Sequence, residues 1–589
     1  MEIHTLTDCI DSFCQTKPDD WAYIFYSNPK NAPDRISYQQ LQQQSQQLAQ
    51  HIIALTNPGD RVVLLYPSGL DFIIAFYACW YAGAIAVPCQ TPTNASSADK
   101  LQSIMNNCQP SIILSNQTTC QHIIKALDTR WGKIHAFMQT LCDGLQRDSL
   151  ISQLNVSGQH WLNTDLINHL PEARPLRTFT SQQTALLQYT SGSTGQSKGV
   201  MLSQSNLIAN IKLLESLYQK QYDSRYIVSW LPLTHDMGLI GAMLHTTFGG
   251  GCLVFISPQQ FARRPWFWLK LMSRYRSEGT GAPPFGYALT AQRLKPEHFE
   301  DLDLSPWQYA MCGAEPIDAN ALITFQQKLA PLGFTRNIFC PSYGLAEATL
   351  LVSFQKGLKL GQADHNRHLV SCGQPLQPIK IVNPHTDQVV EDGTIGEVWI
   401  TGHCVGRGYW HQTELTQYTF QAHIQGDASE TRYMRTGDLG LLENGELFIV
   451  GRLKETIIIR GQNFYPAEIE PIVQNAHDAL NQQGCMALCL PETNQSLVLI
   501  CELNKKTPET DYADIIKAIQ AALYQYNQIQ ADQVGLLPTS SIPRTTSGKP
   551  QRLSCKHAII DQNIMERFPD LIWSSQLETE TTPAMGLSS

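Results

Sequence analysis

What most restricts the fold of this chain is an alternation that runs through most of it. Short apolar, β-branched runs are separated by stretches with helical spacing. The runs include DRVVLLYP (60–67), PSIILS (110–115), RYIVSWLP (225–232), GCLVFIS (251–257) and GEVWITG (396–402). Each has strand length and punctuation by Gly, Pro, Asp or Ser, and strands separated by helices predict an α/β fold with substantial sheets. At 589 residues the chain is too long for one core, so at least two domains are expected. No fixed-period repeat is found.

Two segments could mislead. QQLQQQSQQLAQ (39–50) looks low in complexity, yet Tyr38, Leu41, Ser45, Leu48 and Ile52 recur at steps of three and four. That spacing predicts an amphipathic helix, with Ser37 and Gln40 as its capping box. FIIAFYACWYAGAIAVP (72–88) carries no charge, but Gly83 interrupts it and Pro88 closes it. A buried helix ending near Gly83, followed by a short strand, fits better than a membrane span. MEIHTLTDCIDSFCQ lacks a basic segment before an apolar run, so no signal peptide is expected.

A net charge of −9 argues against a nucleic-acid binder, though local basic spots can still hold a nucleotide. The 16 cysteines form no C-x-x-C pair, which fits small buried hydrophobes in a reducing cytoplasm.

The segment YTSGSTGQSKGV (189–200) is rich in Gly, Ser and Thr and carries one lysine. A P-loop needs glycine before its lysine and Ser or Thr after it. Here Ser197 precedes Lys198 and Gly199 follows. The flanking TALLQY and GVML read as strands, and no G-x-G-x-x-G is present. The loop nevertheless suits a polyphosphate. Gly192, Gly195 and Gly199 allow backbone N–H groups to turn toward an anion, Thr190, Ser191, Ser193 and Thr194 offer hydroxyls, and Lys198 adds charge. A flexible linker is the alternative when the loop is taken alone.

Four later segments share its character: PSYGLAE (341–347), YMRTGDLG (433–440), GRLKE (451–455) and PRTTSGKPQR (543–552). In that order they resemble the motifs of the adenylate-forming superfamily of acyl-CoA synthetases, luciferases and peptide-synthetase adenylation domains. Within it, YPSGLDFIIAFYACWYAGAIAVP (66–88), WLPLTHDMGLIGAML (230–244) and GELFIVGRLKETIIIRGQNFYPAEIE (445–470) are similar to the fatty acyl-AMP ligase branch. The resemblance implies a large, multi-subdomain amino-terminal α/β domain, residues 1–452, for ATP and fatty acid. A small mobile α+β lid, residues 453–572, would carry the catalytic lysine. Residues 573–589 are expected to be a disordered tail.

The resemblance also implies roles. A fatty acid carboxylate would attack the α-phosphate of ATP, and the acyl group would pass to the phosphopantetheine thiol of an acyl carrier protein. Lys549 would bridge carboxylate and phosphate as charge builds. Glu347, with Thr194, would hold Mg2+, and Asp438 would accept hydrogen bonds from the ribose hydroxyls, with Arg452 beside it. Gly313, Ala314, Glu315, Ser342, Tyr343, Gly344, Leu345 and Ala346 would line the adenine. His235 would orient the carboxylate, and Lys454 would be the hinge.

Alternatives stay open. Residues 348–370, between the Y-G-L-A-E motif and Ser371, are fewer than in many fatty acyl-AMP ligases, which leaves a CoA-forming ligase in play. Asp236 could hold a substrate amine, as in amino-acid-activating relatives, although Met237, Gly238, Leu239 and Ile240 favour an apolar chain. A nucleotide sensor without chemistry is a third reading. A cytoplasmic protein that is neither an integral membrane protein nor a nucleic-acid partner is expected.

Overall fold

The computed structural model describes residues 3–93, 95–120, 153–156, 159–167, 171–191, 197–218, 226–361, 369–459, 462–490, 496–504, 507–544, 550–561 and 563–579. Among these, three sheets build the larger part of the chain. The first has seven strands in the order Gln153–Val156, Gln159–Asn163, Ile112–Ser115, Arg61–Leu65, Ile85–Cys89, Thr184–Ser191, Ser197–Ser203. Its inner pairings are parallel and its two edges antiparallel. Parallel strands need both faces covered, and Leu70–Tyr81 supplies one cover. That helix is buried almost all round, and Gly83 at φ +65° turns it into the strand Ile85–Cys89.

The second sheet has nine strands and a parallel centre. Its order is Gln374–Pro375, Leu351–Phe354, Phe339–Gly344, Tyr309–Cys312, Gly279–Ala282, Tyr226–Ser229, Cys252–Ile256, Trp21–Tyr26, Asp34–Ser37. Tyr38–Leu55 packs here as a helix, with its capping box formed by Ser37 and Gln40 and with Tyr38, Leu41, Ser45, Leu48 and Ile52 buried. The third sheet is antiparallel, Ile379–Val382, Gly396–Ile400, Met434–Glu443 and Glu446–Arg452.

After the turn Leu453–Glu455 comes a separate core. Ile457, Phe464, Ile469, Val473, Leu499, Ile515, Ile519 and Val534 pack together, around a four-stranded sheet of Leu480–Leu490, Ser496–Leu503, Gln533–Leu537 and Ile572–Trp573. The molecule is therefore a large α/β body plus a smaller α+β body. The disordered tail expected from residue 573 needs correction. Trp573 pairs with Gly535, Ser574 accepts the Val534 amide at 3.2 Å, and Ser574–Thr579 is helical. The strand edge beside Gln533–Leu537 supplies unpaired backbone groups that recruit these residues. Residues 580–589 lie outside the described set. No described helix is long and apolar enough to cross a membrane.

Candidate active site

In parallel sheets ligands gather beyond the carboxyl ends of the strands, and a cavity of about 440 Å³ opens there. Four of the five motifs reach it, each from its own element. Thr190 and Lys198 are register partners on the antiparallel pair Thr184–Ser191 and Ser197–Ser203. This is the strand–loop–strand setting expected of the phosphate loop. Gly313 and Ala314 follow the strand Tyr309–Cys312, with Ala314 held at φ +69°. Ser342, Tyr343 and Gly344 end the strand Phe339–Gly344, and Leu345, Ala346 and Glu347 continue from it. Asp438 and Arg452 are register partners on neighbouring antiparallel strands.

The arrangement of charge is specific. Tyr343 Oη donates to Asp438 Oδ2 at 2.8 Å, and Arg452 Nε stands 3.2 Å from Asp438 Oδ1. Asp438 is thus a buried carboxylate held from two sides in the cavity wall. Behind it Glu397 accepts from Gly437 N at 2.9 Å, from Arg435 Nη2 at 2.9 Å and from Trp399 Nε1 at 2.9 Å. These bonds fix the T-G-D turn. Across the cavity Lys198 Nζ lies 5.1 Å over the Tyr409 ring. Burial and the neighbouring Lys454 ammonium push its pKa down, with Glu347 opposing. Lysines crowded this way favour a polyanion between them.

Glu347 fits a metal ligand. Burial raises its carboxyl pKa, while the Tyr409 hydroxyl, donating to Oε1 at 2.8 Å, pulls it back. A desolvated carboxylate beside cationic walls is stabilised by a hard cation, and Mg2+ takes one or two carboxylates plus phosphate oxygens. No described group of three His, Cys, Asp or Glu forms an all-protein metal cage. Glu347 is the carboxylate that the described part of the cavity wall offers beside Lys198 and Arg452.

His235 lines the same cavity, with Nδ1 2.6 Å from Asp236 Oδ1. That oxygen also accepts the Met237 amide at 2.7 Å, so one face of Asp236 is committed to local structure. Met237–Leu244 then forms a π-helix. Leu214, Ile227, Leu231, Met237, Ala242 and Met311 continue the lining as an apolar arm.

Glu315 departs from its expected place. It is absent from the cavity wall and accepts the Phe285 amide at 3.1 Å, because the first turn of helix Pro284–Arg293 leaves N–H groups needing acceptors. Ser191 ends its strand opposite Ser197. Gly192, Ser193, Thr194, Gly195 and Lys549 lie outside the described residues. Three side chains escaped the sequence reading: Tyr409, Glu397 and Gln188. Gln188 is buried in the cavity wall with Oε1 lacking a hydrogen-bond partner among the described residues. It stands two residues before Thr190, and a polar residue inside the apolar run A-L-L-Q-Y of that strand was its signal.

A family model described as AMP-binding enzyme matches residues 10–410. One described as Disco-interacting protein 2-like, AMP domain, matches residues 454–567. The chain is 31% identical to the medium-chain-fatty-acid–acyl-carrier-protein ligase JamA of Moorena producens, over 100% of this chain and 99% of that protein. It is 32% identical to the long-chain-fatty-acid–AMP ligase FadD26 of Mycobacterium marinum, over 92% and 94% of the two chains. Among solved structures, a fatty acid AMP ligase from Legionella pneumophila superposes with a TM-score of 0.69 at 33% identity, covering 95% of this chain and 96% of that one. A structure from work on fatty acyl-adenylate ligases of E. coli and L. pneumophila gives 0.82 at 29% identity, covering 96% and 99%.

Proposed function

The chain belongs to the AMP-binding enzymes as a fatty acyl-AMP ligase of the adenylate-forming superfamily, and on that basis we propose how its residues divide the work. The reaction converts a fatty acid and ATP to acyl-adenylate and pyrophosphate. A carboxylate oxygen forms a bond to the α-phosphorus as the bond to the leaving pyrophosphate breaks. The single observation that carries our assignment is one continuous cavity: the Tyr343–Asp438–Arg452 group, the Lys198–Lys454 cationic wall and an apolar arm meet in it.

Asp438 accepts the ribose hydroxyls, and Tyr343 with Gly313 and Ala314 flanks the base. Lys198 and the phosphate loop bind the β- and γ-phosphates. Mg2+, when bound, offsets phosphate charge, and Glu347 holds it. His235 orients the fatty acid carboxylate at the mouth of the apolar arm. Lys549 bridges the attacking carboxylate and an oxygen of the α-phosphate, offsetting the charge as it builds. Residues 453–572 act as a mobile lid closing over residues 1–452. Its own core and its attachment through the turn Leu453–Glu455 support that division.

The acyl group passes next to the phosphopantetheine thiol of a carrier protein. The thiol sulfur bonds to the acyl carbon, the acyl carbon–oxygen bond to AMP breaks with its electron pair going to the phosphate oxygen, and the thiol proton is released. Similarity to a carrier-protein ligase along the full chain supports this acceptor. The buried free thiols, Cys79, Cys312 and Cys340 among them, suit a cytoplasmic setting.

Mass spectrometry after incubation with ATP, Mg2+ and mixed fatty acids should show acyl-AMP. Addition of holo carrier protein should consume it, and addition of CoA should leave it. Rapid acyl-CoA formation would overturn the carrier assignment. Retained pyrophosphate exchange in Lys549→Ala would overturn the role given to that lysine.

A further inference from the structure

Gln188 ties together two walls of the cavity. It is 3% exposed on the strand Thr184–Ser191 and lines the cavity. Its amide Nε2 donates to Thr234 O at 2.9 Å, and Thr234 lines the cavity too. The strand belongs to the seven-stranded sheet, whereas Thr234 follows the strand Tyr226–Ser229 of the nine-stranded sheet. This hydrogen bond therefore reaches from a strand of one sheet to a turn leaving the other.

Its two ends sit beside the groups that must meet. Alternation along a strand puts Gln188 and Thr190 on one face, about 6.6 Å apart, and Thr190 pairs in register with Lys198. Thr234 precedes His235, whose amide bonds to Pro232 O at 3.1 Å and whose carbonyl accepts Leu239 N at 2.7 Å. A shift of the Thr234 carbonyl is thus passed to His235 through a short, hydrogen-bonded turn. The Gln188 amide has one workable orientation: a carbonyl accepts, so its NH2 faces Thr234 and Oε1 faces away. There Oε1 is buried with no partner among the described residues. Removing the amide would take away that unserved acceptor and leave Thr234 O unserved instead, so the bond adds little net stability. What it supplies is geometry.

We propose that Gln188 is a positioning residue that sets the distance between the fatty acid carboxylate and the α-phosphate of ATP. It acts through Thr234 on the turn that carries His235, while its own strand carries Thr190 two residues on. This rests on the acyl-adenylate reading above and adds a residue to its machinery. The attacking oxygen and the phosphorus must approach to about 3–3.5 Å, and a misplacement of about 1 Å can cost a hundredfold in rate. Substrates held by two different sheets need those sheets registered at the site. A hydrogen bond, being directional, does this where apolar packing tolerates sliding.

Gln188→Met keeps the length of the side chain and removes the amide, and Gln188→Leu serves if the first variant does not fold. The rate of acyl-AMP formation at saturating ATP and fatty acid should fall by at least about tenfold. KM for ATP should stay within about twofold, as expected when the lost interaction acts on the transition state, and the thermal midpoint should move by no more than a few degrees. An unchanged rate in a folded variant overturns the proposal. A KM for ATP that rises in step with the loss of rate also overturns it, by giving Gln188 to nucleotide binding. So does a loss of rate that tracks a lowered thermal midpoint, which would make the bond structural. Failure of the wild type to form acyl-AMP from any fatty acid tried would overturn the acyl-adenylate reading itself, and the proposal with it.

Discussion

Glu347 and Tyr409 lie 62 residues apart, yet the tyrosine hydroxyl donates to this buried carboxylate. Burial pushes the Glu347 pKa up, and the hydroxyl and Arg452 act against that rise. A hydrogen bond to a charged group contributes about 1.5 to 3 kcal/mol. Tyr409→Phe should therefore raise the Mg-ATP concentration needed for half-maximal pyrophosphate exchange by about tenfold or more. A magnesium titration of the exchange rate reads this directly, and an unchanged titration would remove Glu347 from the metal site. At this scale the sequence discloses residues inside compact motifs and conceals those that complete them. Asp438 announces itself by T-G-D. The Tyr343 hydroxyl and the Arg452 guanidinium that hold it come from other strands, and only the folded sheet order joins them. Glu315 shows the converse. It sits inside a motif, but its carboxylate serves a helix amino terminus.

Elements divide along the same line. The helix Tyr38–Leu55 was legible because its apolar residues obey one period and its cap is local. The π-helix Met237–Leu244 was not, and the turn before it runs unusually close to it. A Cβ at Gly238 would lie 2.2 Å from the carbonyl oxygen of Pro232, a backbone atom that cannot rotate aside. The chain passes this close because His235 N bonds to Pro232 O at 3.1 Å, drawing W-L-P-L-T-H into a turn. Gly238→Ala should therefore force the turn and the helix apart, costing about 1–3 kcal/mol of stability. Since His235 and Asp236 sit between the two colliding parts, fatty acid KM should rise as well. Thermal denaturation and substrate titration measure the two effects separately. A stable variant with normal KM would show that the turn has slack.

The whole molecule turns on residues 453–455. On one side the strand Glu446–Arg452 brings Arg452 to Asp438, and on the other Ile457 already belongs to the smaller core. Between them Lys454 and Glu455 line the cavity, and Arg552 ties Glu455 at 3.5 Å to Glu470 at 2.6 Å. The turn is therefore fastened to the smaller body by an ion pair and to the larger body by a strand. The order of motifs along the chain foretold two bodies. How they share one cavity depends on this fastening, which no local pattern encodes. If the smaller body rotates between adenylation and thiol transfer, the dihedral change falls on Lys454, the residue between strand and ion pair. Proline at that position fixes φ near −65° and disfavours a helical conformation at Leu453. Lys454→Pro should then slow the two half-reactions unequally, by at least about tenfold between them, because a lock suits one arrangement and opposes the other. Pyrophosphate exchange reports adenylation, and transfer from preformed acyl-AMP to holo carrier protein reports the second step. Equal slowing of both, or of neither, would rule out this turn as the pivot and move the search to residues 456–465.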